Sequence, residues 1–308
     1  MILAFAATAV QWFAEPGWER MAAVVDRRTY ELPRSVAPDT EVFAIGDLHG
    51  RPDLLEALLD EARREPRRRE RRALVFLGDL VDRGPDSLGT VDLAAGAAAR
   101  VGANEQIGLM GNHETMMRLA LDPSAPWDAA LDALANWLRN GGGAVVRQFV
   151  RFDVEPGDAE ALLTILRVAL PHRIRVWLES LEASWRSGGV LFVHAGVNPA
   201  VDLEDFLAAP WNMPLAELDE DMHWAWVRWP FLEAAPGPEG FGGYLVVHGH
   251  TPNDARASAS HEDQVRAFRL NLDAGSGKTG LAKMAVLRGH EAKVLTALGP
   301  TNRMLGGD

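Results

Sequence analysis

Cysteine is absent from the 308 residues. Its absence removes disulfides, thiolate nucleophiles, zinc fingers and iron–sulfur clusters together, so any metal must bind through imidazole, carboxylate or amide oxygen. Positive charge is also scarce: 31 Lys and Arg stand against 43 Asp and Glu, a formal charge of −12. General affinity for nucleic acid or anionic lipid is therefore not expected, and a phosphate-bearing substrate would need a local positive site. No apolar stretch reaches the roughly 20 residues of a membrane span. The uncharged residues 1–14 are too short for one and lack the basic start of a signal peptide. We read residues 1–40 as an N-terminal extension that packs on the domain or frays, residues 301–308 as a C-terminal tail, and the protein as cytoplasmic. What is present, 47% hydrophobic and 24% charged residues, excludes a disordered or collagen-like chain and suffices for one large core or two modest ones.

From Glu41 onward short apolar runs end in polar turns. Val42, Phe43, Ala44 and Ile45 lead into Gly46-Asp47, after which Leu54, Leu55, Leu58, Leu59 and Ala62 recur at helical spacing. The unit repeats before Gly78-Asp79 and before Gly111-Asn112, which predicts an α/β fold with polar residues at the carboxyl ends of buried strands, where open sheets place ligands. Residues 115–187 read as largely helical, broken by glycines 141 to 143. Strand-like runs return at residues 190–193, 244–247, 268–272 and 284–287. Residues 233–243, rich in Pro and Gly, read as a loop.

Five segments place metal-compatible side chains just after apolar runs: Gly46-Asp47-Leu48-His49-Gly50, Gly78-Asp79-Leu80-Val81-Asp82-Arg83-Gly84, Gly111-Asn112-His113-Glu114, His194-Ala195-Gly196 and His248-Gly249-His250-Thr251. Any one alone fits a turn or an ordinary helix start. Together, Asp47, His49, Asp79, Asn112, His194 and one of His248 or His250 supply ligands for two divalent cations, with Asp79 suited to bridge them because a carboxylate has two oxygens.

At these residues the chain resembles the phosphoprotein phosphatase superfamily of calcineurin-like metallophosphoesterases, whose motifs run GDxHG, GDxVDRG, GNHE, HAG and GHT. The resemblance extends to Asn271-Leu272-Asp273-Ala274-Gly275 and covers residues 42–286. It implies a four-layer αββα sandwich with a helical insert, a catalytic domain over residues 41–300, and two divalent metals, with Mn2+ the expected ion and Fe or Zn as alternatives. The first metal would be held by Asp47, His49 and Asp79, and the second by Asp79, Asn112, His194 and His250, the histidine that precedes threonine. His113 would protonate the leaving oxygen with Asp82 as its orienting partner, while Arg83 and Arg228, the latter in Trp226-Val227-Arg228-Trp229, would grip phosphate oxygens. Attack by metal-bound hydroxide needs no covalent intermediate. The implied substrate is a phosphorylated protein, at serine or threonine with tyrosine as the further option, or a small phosphoester. Symmetrical dinucleoside tetraphosphate hydrolysis is the alternative, because that group shares the motifs and a GHTP segment like Gly249-His250-Thr251-Pro252. A silent scaffold is the alternative of another class, and no nucleic-acid or membrane partner is expected.

Other features read as structural. Gly275-Ser276-Gly277-Lys278-Thr279 imitates a Walker A end but has Leu272 where the motif needs glycine. The arginine-rich residues 63–72 read as a solvated helix end and loop. His172, His223, His261 and His290 lie outside ligand spacing, although His223 sits among Trp224, Trp226 and Trp229, which could wall a cleft or fill the core.

Overall fold

Alternation along the strands decides what each sheet face meets. In β2 (Thr40–Ile45) all six residues are buried. Val42 and Ala44 enter one apolar cluster while Phe43 and Ile45 enter another, as a period of two requires. A strand buried on both faces needs layers on both sides. The computed structural model, which describes residues 22–149, 158–252 and 261–301, supplies them.

The first sheet adds β1 (Ala23–Glu31), β3 (Arg71–Phe76), β4 (Glu105–Gly108), β9 (Leu281–Arg288) and β10 (Glu291–Leu298), in the order β1-β10-β9-β2-β3-β4. The second contains β5 (Ser184–Ser187), β6 (Val190–Val193), β7 (Leu245–His248) and β8 (Arg269–Asn271), in that order. The β2-β3-β4 and β6-β7-β8 ladders are parallel. Their inner faces meet through Val42, Ala44, Val75 and Leu77 from one side and Val190, Phe192, Val247 and Leu270 from the other. Outside the first sheet, Phe43, Ile45, Leu74 and Phe76 pack with α1 (Pro52–Arg64) and α2 (Ser87–Ala95). Full burial of each such phenylalanine contributes about 1.5–3 kcal/mol. Outside the second sheet, Leu191, Val193 and Val246 share a cluster with Trp224, Phe206 and Phe231. The result is the αββα order.

After α3 (Ala97–Val101), the insert comprises α4 (Asn112–Leu121), α5 (Trp127–Trp137), α6 (Gly143–Phe149), α7 (Ala159–Ala169) and α8 (His172–Glu179). Gly141, at φ 111°, bends the chain between α5 and α6, a conformation costly for any residue with a Cβ. The helical reading of residues 115–187 runs too far at its end, because Ser184–Ser187 pairs with β6 as an edge strand too short and polar to show a period. Part of the region read as an extension also lies in the first sheet, where β1 pairs with β10 from Ala23 to Glu31. The consecutive charges Asp26, Arg27 and Arg28 hide that strand in the sequence, and its mostly exposed edge position tolerates them. The expectations for residues 1–21 and 302–308 fall outside the described residues. Among the described residues no helix is long and apolar enough to cross a membrane.

The arginine-rich run is partly consumed internally. Arg67 donates to the Gly102 and Glu70 carbonyls, Arg71 pairs with Glu105, and buried Arg72 donates to Glu41 at 2.7 Å.

Candidate active site

The carboxyl ends of the parallel strands share one rim, and the turns there are strained. Six described non-glycine residues have positive φ: His49 (46°), Asp79 (53°), Asp82 (73°), Arg83 (63°), His250 (67°) and Phe268 (57°). Five of them belong to the proposed ligand and catalytic set, and such backbone strain persists only where surrounding bonds enforce it. The enforcing bonds are identifiable. The Asp79 carbonyl accepts from the Leu48 and His49 amides at 3.0 and 2.8 Å, tying the turn after β2 to the turn after β3. Gly249 and Gly111 let backbone approach carboxylates closely, since a Cβ on either would collide with Oδ1 of Asp47 or Asp79.

Asp79 stands between two sets of imidazoles. Its Oδ2 lies 3.7 Å from His49 Nε2 and 4.0 Å from His113 Nε2, whereas Oδ1 lies 3.5 Å from His194 Nε2. Ligand-capable atoms of His49, Asp79 and His113 form one group within 4.8 Å, and those of Asp79, His194 and His250 form another. Asn112 Oδ1 joins the second, 3.2 Å from His194 Nε2 and 2.9 Å from His250 Nδ1.

The tautomers follow from the other ring nitrogens. His49 Nδ1–H donates to the Val81 carbonyl at 2.9 Å, His194 Nδ1–H to Leu77 at 2.8 Å, and His250 Nε2–H to Trp226 at 3.1 Å. Each neutral imidazole therefore turns a lone pair toward Asp79 or Asn112. Around Asn112, His194 and His250 acceptors converge as the donor set of a cation does, whereas the lone pair of His49 meets the Arg83 guanidinium; a backbone carbonyl behind each histidine is the usual arrangement around metal ligands. Asp47 belongs to neither of these two groups; it accepts the His250 backbone N–H at 3.0 Å. His248 points elsewhere, its ring edge against Phe231.

Protonation suits this role. Burial and the Arg83 charge hold His49 well below the usual imidazole range, and burial with the His194 and Arg228 charges does the same for His250. Burial raises Asp79, but the four imidazoles around it prevail and keep it ionised. Asp47 is pushed up by burial and by the charges of Asp273 and Asp79, a concentration of buried carboxylates that a bound cation would relieve.

His113 differs from the other histidines because its Nδ1 meets a carboxylate, Asp82 Oδ2, at 2.5 Å. Burial lowers its proton affinity, yet the Asp79 and Asp82 charges outweigh burial and hold it above the ordinary value. Asp82 is fixed by Trp137 Nε1, which donates at 2.8 and 2.9 Å to its two oxygens, and by Ser87, whose Oγ accepts the Asp82 backbone N–H at 3.0 Å. The Arg83 guanidinium donates to Nε2 of His49 at 2.8 Å and lies 2.8 Å from Nε2 of His113, and its backbone N–H donates to the Gly141 carbonyl. Trp137 and Gly141 belong to the insert, which thus forms one wall of the site. Arg228 is half-exposed, 3.4 Å from Glu220, and its charge is felt by His194 and His250.

Comparison with known proteins agrees with this geometry: a family model described as calcineurin-like phosphoesterase matches residues 40–293. The chain belongs to that family. It is 34% identical over 154 residues to the serine/threonine-protein phosphatase 1 of Salmonella typhimurium LT2, a match covering 50% of this chain and 58% of that one. It is 31% identical over 160 residues to a symmetrical bis(5'-nucleosyl)-tetraphosphatase of Aeromonas salmonicida, covering 51% and 45%. These matches span about half the length of the curated relatives. Among solved structures, a cold-active protein-tyrosine phosphatase of a psychrophilic Shewanella aligns over 82% of this chain and 78% of its own, at 17% identity and TM-score 0.49.

Sequence reasoning overlooked Glu114, Trp137, Ser87 and Asp273 as parts of the site. Asp273 follows β8 as the other polar residues follow their strands, so the same rule would have found it; burial pushes it up to about 6. Glu114 carries a capping signal at the third position of α4. Trp137 and Ser87 carry no local signal.

Of the tryptophans flanking Arg228, Trp224 and Trp226 are buried and Trp229 is exposed. His223 is structural: Nε2–H donates to the Pro210 carbonyl at 3.3 Å and Nδ1 accepts from Ala225 N–H at 3.1 Å. Burial pushes it down to about 4. A depressed folded-state value means that protons favour the unfolded chain, so this contribution is intact above about pH 6.5 and lost as pH falls toward 4. From this residue alone the loss is about 3 kcal/mol. Urea unfolding at pH 7 and pH 4.5 is expected to show a smaller acid loss in His223→Gln than in the wild type, and equal losses would refute a buried neutral imidazole.

Proposed function

We propose that the protein is a dinuclear metal-dependent phosphoesterase that hydrolyses phosphomonoesters, with phosphoserine and phosphothreonine proteins as substrates and Mn2+ as its working ion. The observation that carries the reading is the division of the two Asp79 oxygens between two histidine groups. Asp47, His49 and Asp79 would hold one ion, and Asp79, Asn112, His194 and His250 the other. Two bound divalent cations lower the pKa of a bound water and neutralise phosphoryl oxygens.

The chain's own side chains supply the rest. Arg83, whose planar fork matches paired phosphate oxygens, and Arg228, whose charge reaches His194 and His250, bind the equatorial oxygens. His113 delivers a proton to the leaving oxygen from Nε2, and Asp82 holds the ring by accepting at Nδ1. The insert sets Asp82 through Trp137 and Arg83 through Gly141, so binding geometry and acid orientation share one wall.

The protein-phosphatase reading is supported by the Salmonella relative's name, and the Aeromonas relative's name supports dinucleoside tetraphosphate hydrolysis as the second reading. The test is phosphate release by Mn2+-loaded enzyme on a phosphoserine/phosphothreonine peptide and on diadenosine tetraphosphate. We expect higher kcat/KM on the peptide. Higher efficiency on the dinucleotide would transfer the function to nucleotide hydrolysis, and a chain unable to take up two metals would leave a scaffold.

A further inference from the structure

We infer that Glu114 is a positioning residue that fixes Asp79 relative to Asn112 and thereby sets the affinity of the Asp79–Asn112–His194–His250 group for a divalent cation. This rests on the dinuclear reading above. Glu114 is fully buried, and among the described residues it has no Lys or Arg partner. Four backbone amides surround its carboxylate instead. Oε2 accepts from Asp79 N at 2.8 Å and Gly111 N at 3.0 Å, and Oε1 accepts from Leu80 N at 2.8 Å and Val81 N at 3.3 Å.

The distribution of these bonds separates positioning from ordinary capping. A carboxylate at the third position of a helix satisfies the amide preceding that helix, here Gly111 N, and stops there. Glu114 sends three of its four bonds across to the turn after β3, where Gly78 and Asp79 hold φ of 100° and 53°. Asp79 can leave that disfavoured region by rotating its peptide, and the bonds at Asp79 N and Leu80 N, one on each side of the residue, oppose the rotation. The same carboxylate anchors the residue before Asn112. One side chain therefore clamps the turns that deliver two ligands of one group, across 35 positions of sequence.

Glu114→Gln keeps the shape but exchanges one acceptor for an NH2 that faces amide donors. Titration of Mn2+ into metal-free full-length protein by calorimetry, well below the unfolding temperature, is expected to show Kd raised 10–100-fold, the range seen when a group behind a metal ligand is removed. Leu58→Ala, which opens a cavity under α1, controls for stability and is expected to leave Kd within about twofold. Wild-type affinity in Glu114→Gln would overturn the inference. If that variant is not recovered folded, Glu114→Asp, which keeps the charge and withdraws it by one methylene, is expected to bind Mn2+ more weakly, and wild-type affinity there overturns the inference equally. A wild-type chain that takes up no Mn2+ would defeat the dinuclear reading itself.

Discussion

His113→Asn is expected to lower kcat by about 10²–10⁴, the contribution of a positioned general acid, while leaving bound metal unchanged. The second half of that statement is the sharper one, because His113 Nε2 lies as one of three ligand-capable atoms with His49 and Asp79. What sets His113 apart is the group behind it. His49, His194 and His250 each donate their second ring nitrogen to a backbone carbonyl, which fixes a neutral ring with its lone pair forward. His113 has the Asp82 carboxylate there, and that charge favours a proton on the ring. A protonated ring can give a proton and cannot ligate. Metal analysis of purified His113→Asn beside its turnover separates the roles: one ion lost would make His113 a ligand, and normal turnover would remove it from the chemistry.

The reason so much of the site is legible in the sequence is geometric. Parallel strands in both sheets run toward one rim, so each ligand lies within a few residues of an apolar run that announces its strand, as Asp47 and His49 do after β2 and Asn112 does after β4. Chemistry and fold are then read from the same segments. What escaped has no such coupling. Trp137 reads as one more apolar residue on the α5 face, and its indole N–H meets Asp82 across 55 positions of sequence, a contact only the tertiary fold makes. Ser87 acts on a backbone amide, which no side-chain pattern encodes, and the capping signal of Glu114 announces its bond to Gly111 but not those to Asp79 and Leu80. Strand β1 is hidden for the opposite reason: its partner lies at the far end of the chain, and a largely exposed edge imposes little pattern on the residues that occupy it.

Asp79→Asn is expected to abolish turnover and to remove the two metals unequally. The amide can place its nitrogen at only one of the two oxygen positions, and the surroundings decide which. Oδ1 accepts the His113 backbone N–H at 3.1 Å, so it must remain an oxygen. The NH2 then takes the Oδ2 position, facing the Nε2 atoms of His49 and His113 at 3.7 and 4.0 Å. An NH2 cannot ligate a cation, so the His49 group loses a ligand outright. The His194 and His250 group keeps a neutral oxygen and loses only charge. Mn2+ titration should therefore show the first ion gone and the second bound with reduced affinity. Thermal unfolding supplies the independent check. The metal-free variant is expected to melt no lower than the metal-free wild type, because a buried charge has been exchanged for a neutral amide. Each bound ion should add about 2.7 kcal/mol at a free metal concentration one hundred times its Kd, so the wild type gains from two ions and the variant from one at most. Retention of both ions at wild-type affinity would show that Asp79 bridges nothing, and the division of its oxygens between two histidine groups would lose its functional meaning.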